Sequence, residues 1–320
     1  MKMPLFIRFL VFFYLFTWSV TAQEKRVQRP KLVVGIVVDQ MRWDYLYRYA
    51  DRFGKDGFAR LLKQGYSNEN CMINYLPAFT APGHSCIYTG SVPALNGIAG
   101  NDWIDNHTKK SVYCTEDKLV QPIAGSKKAG QMSPANLLST TITDELKLAT
   151  NKRSKVFGFS LKDRGSILPA GHMANGAFWL DDSTGNFMTS SYYMTALPNW
   201  LQAFNAANKV DSFLALDWNT YFPINTYQQS LADQNTFEGF FKGESASTFP
   251  HLTHAFMGKD KGVIRKIPAG NSLTFQVATS CIKEEHLGEN NTDGEIEYAL
   301  KAAKALGAKS VTVELPTDIN

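Results

Sequence analysis

The segment that decides the fold is KLVVGIVVDQ, residues 31–40. Leu32 to Val38 is a short apolar run rich in β-branched residues, without alternation between apolar and polar positions. This pattern is typical of a parallel strand that is buried on both faces. The run ends at Asp39, and the residues that follow have helical spacing up to a stop at Gly65. We therefore predict an open α/β sheet built from strand–loop–helix units.

The first 22 residues have the features of a signal peptide and precede the predicted fold. A basic start, MKMPLFIR, is followed by the apolar run FLVFFYLFTWSV and by a small-residue cleavage site after Ala22. The run is too short to span a bilayer by itself, and no later segment is apolar enough to be transmembrane. We expect an exported protein, periplasmic or extracellular; an uncleaved membrane anchor is the alternative.

Charge and cysteine content narrow the classes of function. The chain has 33 Lys and Arg residues against 29 Asp and Glu residues, and the two signs are interleaved. This mild positive charge gives no indication of a nucleic-acid surface. The four cysteines lack metal-ligand spacing, so they could form one or two disulfides or remain free and buried. They are Cys71, Cys86, Cys114 and Cys281.

The rest of the chain divides by composition. Residues 23–177 are predicted to be the amino-terminal part of the α/β domain. Residues 178–267 are rich in aromatic residues, Asn and Ser, and we interpret them as an inserted cap over the sheet. Residues 268–293 would return to the core. Residues 294–320, an Ala/Lys-rich helix and the strand SVTVEL, are atypical of the rest. We interpret them as the product of a gene fusion or frameshift; a genuine, diverged short relative is the alternative.

Thr80 is the first candidate for chemistry, in INYLPAFTAPGHSCIYTG, residues 73–90. Pro82 suits the first turn of a following helix, whose amino end would favour an anion. A hydroxyl there can attack phosphorus only if it is activated. Since no Ser-His-Asp arrangement is visible, a metal is the natural activator. The alternative, which this stretch alone favours, is that Thr80 merely caps the helix.

Other candidates lie before and after Thr80. Asp39, at the end of the first strand, faces the crevice where such sheets bind ligands, or else it caps a helix. Asn101 could offer amide donors to a ligand oxygen or simply serve a turn. If residues 156–161 form a strand, Lys162 and Arg164 share one face at its end. Two cations there suit a dianionic phosphoryl group, although a solvated strand end is the alternative.

The order and spacing of these motifs are more specific than any one of them. VVDQMRWDYL, PAFTAPGHSCIYTGSVPALNGIAGN and SLKDRGS together resemble the secreted, zinc-dependent alkaline phosphatases with a threonine nucleophile. That group lies near the nucleotide pyrophosphatase/phosphodiesterase branch of the alkaline phosphatase superfamily. The resemblance extends from about Lys31 to Asp293. It implies an alkaline-phosphatase-like α/β fold: a mixed, mainly parallel sheet flanked by helices, with an inserted cap.

The resemblance also implies residue roles. Thr80 would be the nucleophile that forms a phosphothreonine, and Asp39 and Thr80 would bind one of two zinc ions. Asn101, Lys162 and Arg164 would hold the phosphoryl oxygens. The Lys-x-Arg pair resembles the monoesterase pattern, so the expected substrates are small-molecule phosphate monoesters.

The resemblance breaks in the carboxyl-terminal part. The family's Asp-x-x-x-His and Asp-His ligand groups do not occur in this sequence. The resemblance therefore covers the family's amino-terminal half only. We expect several sheet strands to lack neighbours and the chain alone to have little or no activity. A phosphodiesterase or nucleotide pyrophosphatase, and a non-catalytic fragment, remain as alternatives.

Overall fold

The computed structural model describes residues 30–289 and the backbone of residues 311–315, so the predicted signal peptide lies outside the described residues. A six-stranded sheet has the order β1-β8-β5-β6-β7-β4, and β2 and β3 form a separate hairpin. The strands are β1 (Ile36–Val38), β2 (Asp102–Ile104), β3 (Ser111–Tyr113), β4 (Pro122–Ile123), β5 (Phe157–Ser160), β6 (Gly176–Asp181), β7 (Asn186–Ser190) and β8 (Val311–Leu315).

The helices of the described residues connect and cover these strands. They are α1 (Tyr45–Arg48), α2 (Phe58–Gln64), α3 (Thr80–Thr89), α4 (Pro93–Asn96), α5 (Lys127–Gly130), α6 (Ile142–Ala149), α7 (Asp163–Ala170), α8 (Asn199–Ala206), α9 (Lys209–Leu214) and α10 (Ala269–Glu284). β1, β8, β5 and β6 are parallel, whereas β7 is antiparallel to both of its neighbours, β6 and β4. The predicted mixed, mainly parallel sheet is thus confirmed.

The centre of the sheet is buried on both faces. On one face Phe157, Phe159 and Phe178 stack within the main apolar core. On the other face Trp179 packs with Ile167 in a second cluster. Burial on both sides explains why β5 and β6 show no regular alternation of apolar and polar residues.

Gly158 allows α7 to lie directly on β5. A Cβ added there would lie 2.4 Å from the carbonyl oxygen of Ser166 and 3.0 Å from Cβ of Ala170. The Ser166 hydroxyl also donates a hydrogen bond to the Gly158 carbonyl, at 3.1 Å. This close packing fixes the first turn of α7 relative to the carboxyl end of β5.

The predicted start of the inserted cap, in residues 178–267, is wrong. β6 and β7 occupy its first residues and belong to the sheet. Helices α8 and α9 follow and contribute Leu201 and Leu214 to the main core. Because both faces of β6 are buried, its aromatic sequence gives no alternating signal. A later part of the predicted cap contains Thr226, and it lies near the first helices of the chain. Nη1 of Arg52 donates a hydrogen bond to Oγ1 of Thr226, at 3.2 Å.

The atypical tail, residues 294–320, lies mostly outside the described residues. Its residues 311–315 form β8, which pairs in parallel with β1 on one side and with β5 on the other. The expectation that sheet strands lack neighbours is therefore wrong for β1 and β5. SVTVEL predicted a strand, but only the folded chain places it in the middle of the sheet.

Two expectations about the rest of the chain can be compared with the described residues. All four cysteines are free, and Cys71 alone among them is exposed, so neither disulfide option is observed. Among residues 30–289, no helix combines the length and apolar character needed to cross a bilayer.

Candidate active site

Thr80 is the first residue of α3, and its side chain is directed away from the helix. The N-cap is Phe79, in an extended conformation, so the interpretation of Thr80 as a simple helix cap is wrong. The Thr80 hydroxyl instead donates to Oδ2 of Asp39, at 2.9 Å. Pro82 lies in the first turn, as predicted, where its missing N–H costs no intrahelical hydrogen bond.

Asp39 follows β1 directly and connects three parts of the fold. Its Oδ2 accepts the hydrogen bond from Thr80 on α3 and lies 3.7 Å from Nζ of Lys162, which precedes α7. The Asp39 side chain is only 14% exposed. It is not a helix cap, because α1 begins at Tyr45 with Asp44 as its N-cap. A carboxylate with this little exposure depends on such partners for its stability.

Asn101 binds the amino end of the same helix. Its Oδ1 accepts a hydrogen bond from the backbone N–H of Ala81, at 2.9 Å. That N–H is one of the four at a helix start that have no partner within the helix. The bond assigns Oδ1 to the helix, which leaves the amino group of Asn101 as the donor side of the amide.

Lys162 and Arg164 lie at the start of α7 and not along a strand. β5 ends at Ser160, Lys162 is the N-cap of α7, and Arg164 is the second helical residue. The prediction that both lie on one strand face is therefore wrong, because the chain turns helical between them. The Lys162 backbone N–H donates to Oγ of Ser160, at 2.9 Å, which fixes the turn.

Arg164 extends towards the β2–β3 hairpin. Its Nη1 donates to the Tyr113 hydroxyl at 2.8 Å, and that hydroxyl donates to Oδ1 of Asp163 at 3.0 Å. Oγ1 of Thr115 donates to the other oxygen of Asp163. Sequence reasoning missed Tyr113 and Thr115, since neither belongs to a recognisable motif.

Burial and charge stabilise the ionisation states in this chain of contacts. Burial, reinforced by the Asp163 carboxylate, raises the pKa of Tyr113 well above its usual range. Burial by itself would lower the pKa of Arg164, but Tyr113 and Asp163 outweigh it, so that pKa is raised. The phenol therefore stays neutral and the guanidinium stays charged at any physiological pH.

The described residues do not form a complete zinc site. Asp39 and Thr80 offer two oxygen donors, whereas a protein zinc site takes three or four protein ligands. Within residues 30–289, no group of three or more His, Cys, Asp and Glu side chains is placed to hold a metal ion. These residues place a hydroxyl at the amino end of a helix, beside a carboxylate and a lysine.

Residues 33–255 match the family model described as type I phosphodiesterase / nucleotide pyrophosphatase. The chain belongs to this family. The match includes every candidate site residue, from Asp39 to Arg164, and most of the predicted cap.

Curated relatives in this family carry two kinds of name. A protein of Myroides odoratus named calcium-transporting ATPase is 54% identical over 277 residues, 86% of this chain and 50% of its own length. Alkaline phosphatase PhoV of Synechococcus elongatus is 51% identical over 304 residues, 92% of this chain and 55% of its own length. The chain therefore spans about half the length of the curated relatives it matches.

The fold matches a crystal structure of wild-type alkaline phosphatase PafA. The TM-score is 0.83 at 50% identity, over 91% of this chain and 54% of that one. A PafA variant with one threonine, one asparagine, one lysine and one arginine replaced has the same TM-score, at 48% identity. The alkaline-phosphatase-like α/β fold expected from the motifs is thus confirmed.

Proposed function

We propose that the protein hydrolyses small-molecule phosphate monoesters through a phosphothreonine formed on Thr80. The observation that carries the proposal is the 2.9 Å hydrogen bond from the Thr80 hydroxyl to Asp39 at the amino end of α3. The bond fixes the orientation of the Thr80 hydroxyl. The positive amino end of the helix favours the phosphoryl anion that this hydroxyl would attack. The names of PhoV and PafA, as alkaline phosphatases, support the same activity.

The proposed reaction has two displacements at phosphorus. In the first, Oγ1 of Thr80 attacks, the bond to the ester oxygen breaks, and the hydroxyl proton passes by way of Asp39 to water. The departing alkoxide takes a proton from water, so an alcohol is released. In the second, water attacks the phosphothreonine and the bond from Oγ1 to phosphorus breaks, so that the Thr80 hydroxyl is regenerated and inorganic phosphate is released.

We assign binding of the phosphoryl group to the side chains of Lys162, Arg164 and Asn101. Lys162 acts as a point charge, Arg164 offers a planar set of donors, and Asn101 offers its amide N–H groups. Two cations suit the dianion of a phosphate monoester. They would also stabilise the negative charge that develops on the oxygen atoms in the transition state.

The resemblance to zinc-dependent phosphatases implies two metal ions, and we assign Asp39 and Thr80 as ligands of one of them. Zinc would lower the pKa of a bound hydroxyl. The described residues provide only part of such a site, so the steps above use the chain's own groups alone. Zinc measured per purified chain tests the assignment: if Asp39→Asn leaves the zinc content unchanged, the ligand role of Asp39 is wrong.

Export is the proposed destination, supported by the basic and apolar pattern of residues 1–22. Amino-terminal sequencing of the mature protein should begin at Gln23. A mature chain that retains residues 1–22 would instead indicate a membrane anchor.

A second candidate activity is hydrolysis of phosphodiesters. The observation that favours it is the description of the family model, which names phosphodiesterases and nucleotide pyrophosphatases. Turnover of an aryl phosphate monoester against the matching methyl diester separates the two. A strong preference for the diester would overturn the monoesterase proposal.

The nucleophile is tested by trapping the covalent intermediate. The full chain is mixed with a ³²P-labelled phosphate monoester and quenched in acid, and protein-bound label is counted. Thr80→Ala should abolish labelling. Thr89→Ala is the matched control, because Thr89 lies at the other end of α3 and bonds the Ser85 carbonyl at 2.7 Å. Labelling of Thr80→Ala at the level of the unaltered chain would refute the proposal.

A further inference from the structure

Arg164 is held by a directed chain of hydrogen bonds. Nη1 donates to the Tyr113 hydroxyl at 2.8 Å, and this hydroxyl donates its only proton to Asp163 at 3.0 Å. Thr115, which is fully buried, donates to the second oxygen of Asp163. In this chain Nη1 of Arg164 and the Tyr113 and Thr115 hydroxyls each meet an acceptor, so the guanidinium, the phenol and the carboxylate stabilise one another in a single arrangement.

The Tyr113 ring is fixed by its surroundings. It packs against a buried cluster that contains Ala81 of α3 and Leu168 of α7. Ala81 directly follows the proposed nucleophile. The phenol therefore links the two helices that carry Thr80 and Arg164, and its position depends on both.

The strand that ends in Tyr113 is also tied to Asn101. Asp102 pairs with Tyr113 across the hairpin, and the Cys114 N–H donates to the Asn101 carbonyl at 2.9 Å. One short hairpin therefore positions two of the proposed phosphoryl-binding groups, Asn101 directly and Arg164 through the phenol.

An arginine at a helix start is not fixed by its backbone alone. Its long side chain has many rotamers, and this freedom must be lost before the guanidinium can bind in one geometry. Nε of Arg164 is buried and has no hydrogen-bond partner among the described residues, so the anchoring contact is the one through Nη1.

We propose that Tyr113 is a positioning residue that orients Arg164 for the phosphoryl group, with Asp163 and Thr115 behind it. The inference rests on the proposed function, because it assigns phosphate to Arg164. A purely structural role, in which the phenol only ties the hairpin to α7, is the alternative and would change stability but not affinity for phosphate.

The test is binding of inorganic phosphate to the full chain, measured by calorimetry together with thermal unfolding. Tyr113→Phe removes only the hydroxyl and should weaken phosphate binding by about 10-fold, the usual effect of losing one hydrogen bond to a charged group. Arg164→Ala should weaken it at least as much, and the double variant should match Arg164→Ala. Tyr193→Phe is the matched control, because that half-buried phenol bonds the Gly171 carbonyl at 3.4 Å.

The outcomes separate this inference from the proposed function. If Arg164→Ala weakens binding and Tyr113→Phe does not, the positioning role is wrong and the proposed function stands. If the two effects add fully in the double variant, Tyr113 acts independently of Arg164 and the inference also fails. If Arg164→Ala has no effect, or the unaltered chain does not bind phosphate, the proposed function fails as well. Should Tyr113→Phe unfold, Thr115→Val must still weaken phosphate binding.

Discussion

Removal of the Lys162 charge should discriminate between monoester and diester substrates. Nζ of Lys162 lies 3.7 Å from Oδ2 of Asp39, and this oxygen accepts the 2.9 Å hydrogen bond from Thr80. The ammonium is therefore no farther from the attacking oxygen than the sum of these distances. A phosphoryl group bound there would lie about 5 Å from the charge, where one unit charge is worth roughly 3 kcal/mol at an effective dielectric constant near 20.

A monoester dianion carries one more negative charge than a diester anion. Lys162→Ala should therefore lower kcat/KM for an aryl phosphate by on the order of 10- to 100-fold more than for the matching methyl diester. The assay is a comparison of kcat/KM for the two substrates, each at two salt concentrations. Lys283→Ala is the control, because Lys283 lies at the end of α10 with its side chain 84% exposed. An equal loss on both substrates would refute the electrostatic argument.

Two further predictions concern the framework of the site. Gly158→Ala puts a Cβ 2.4 Å from the Ser166 carbonyl oxygen. It should lower the free energy of unfolding, measured in urea, by about 1–3 kcal/mol and should lower kcat/KM. Gly54→Ala is the control, because a Cβ there meets open space, and it should change neither quantity. The hydrogen bond to Asp144, at 3.1 Å, raises the pKa of His172. Its stabilisation is present below the ordinary histidine pKa and lost as pH rises through the raised value. His172→Gln should thus lower Tm by a few degrees near pH 5.5 and hardly at pH 9; an equal loss at both would contradict the linkage.

Sequence reasoning located the parts of the site that follow strands and helix starts. The apolar run before Asp39 predicted a strand buried on both faces. A strand forms there, but β1 has only three residues, Ile36 is exposed and the other two are half-buried, so the predicted burial is wrong. Pro82 predicted the helix that begins beside Thr80, and this is confirmed. The prediction that Lys162 and Arg164 lie on one face of a strand was wrong. The spacing of two residues at the end of a strand does not show where the backbone becomes helical.

The predicted starting residue of the cap was wrong for a related reason. Most of β6 and all of β7 were assigned to an insertion that begins at residue 178, since aromatic and polar residues follow one another in GAFWLD and NFMTS without a regular period. All six residues of β6 are buried, so no solvent-facing side imposed an alternation that could be recognised.

The sequence by itself determined the fold class, the family and the residue types offered for phosphoryl chemistry, because strand runs, helix starts and turn residues are local features. Only the tertiary structure decided how these residues meet: Asp39 with Thr80 and Lys162, Asn101 with the start of α3, and Arg164 with Tyr113. It also decided that β8 pairs between β1 and β5. These contacts join residues far apart in the chain, and their geometry follows from the packing of helices on a twisted sheet, which no local pattern encodes.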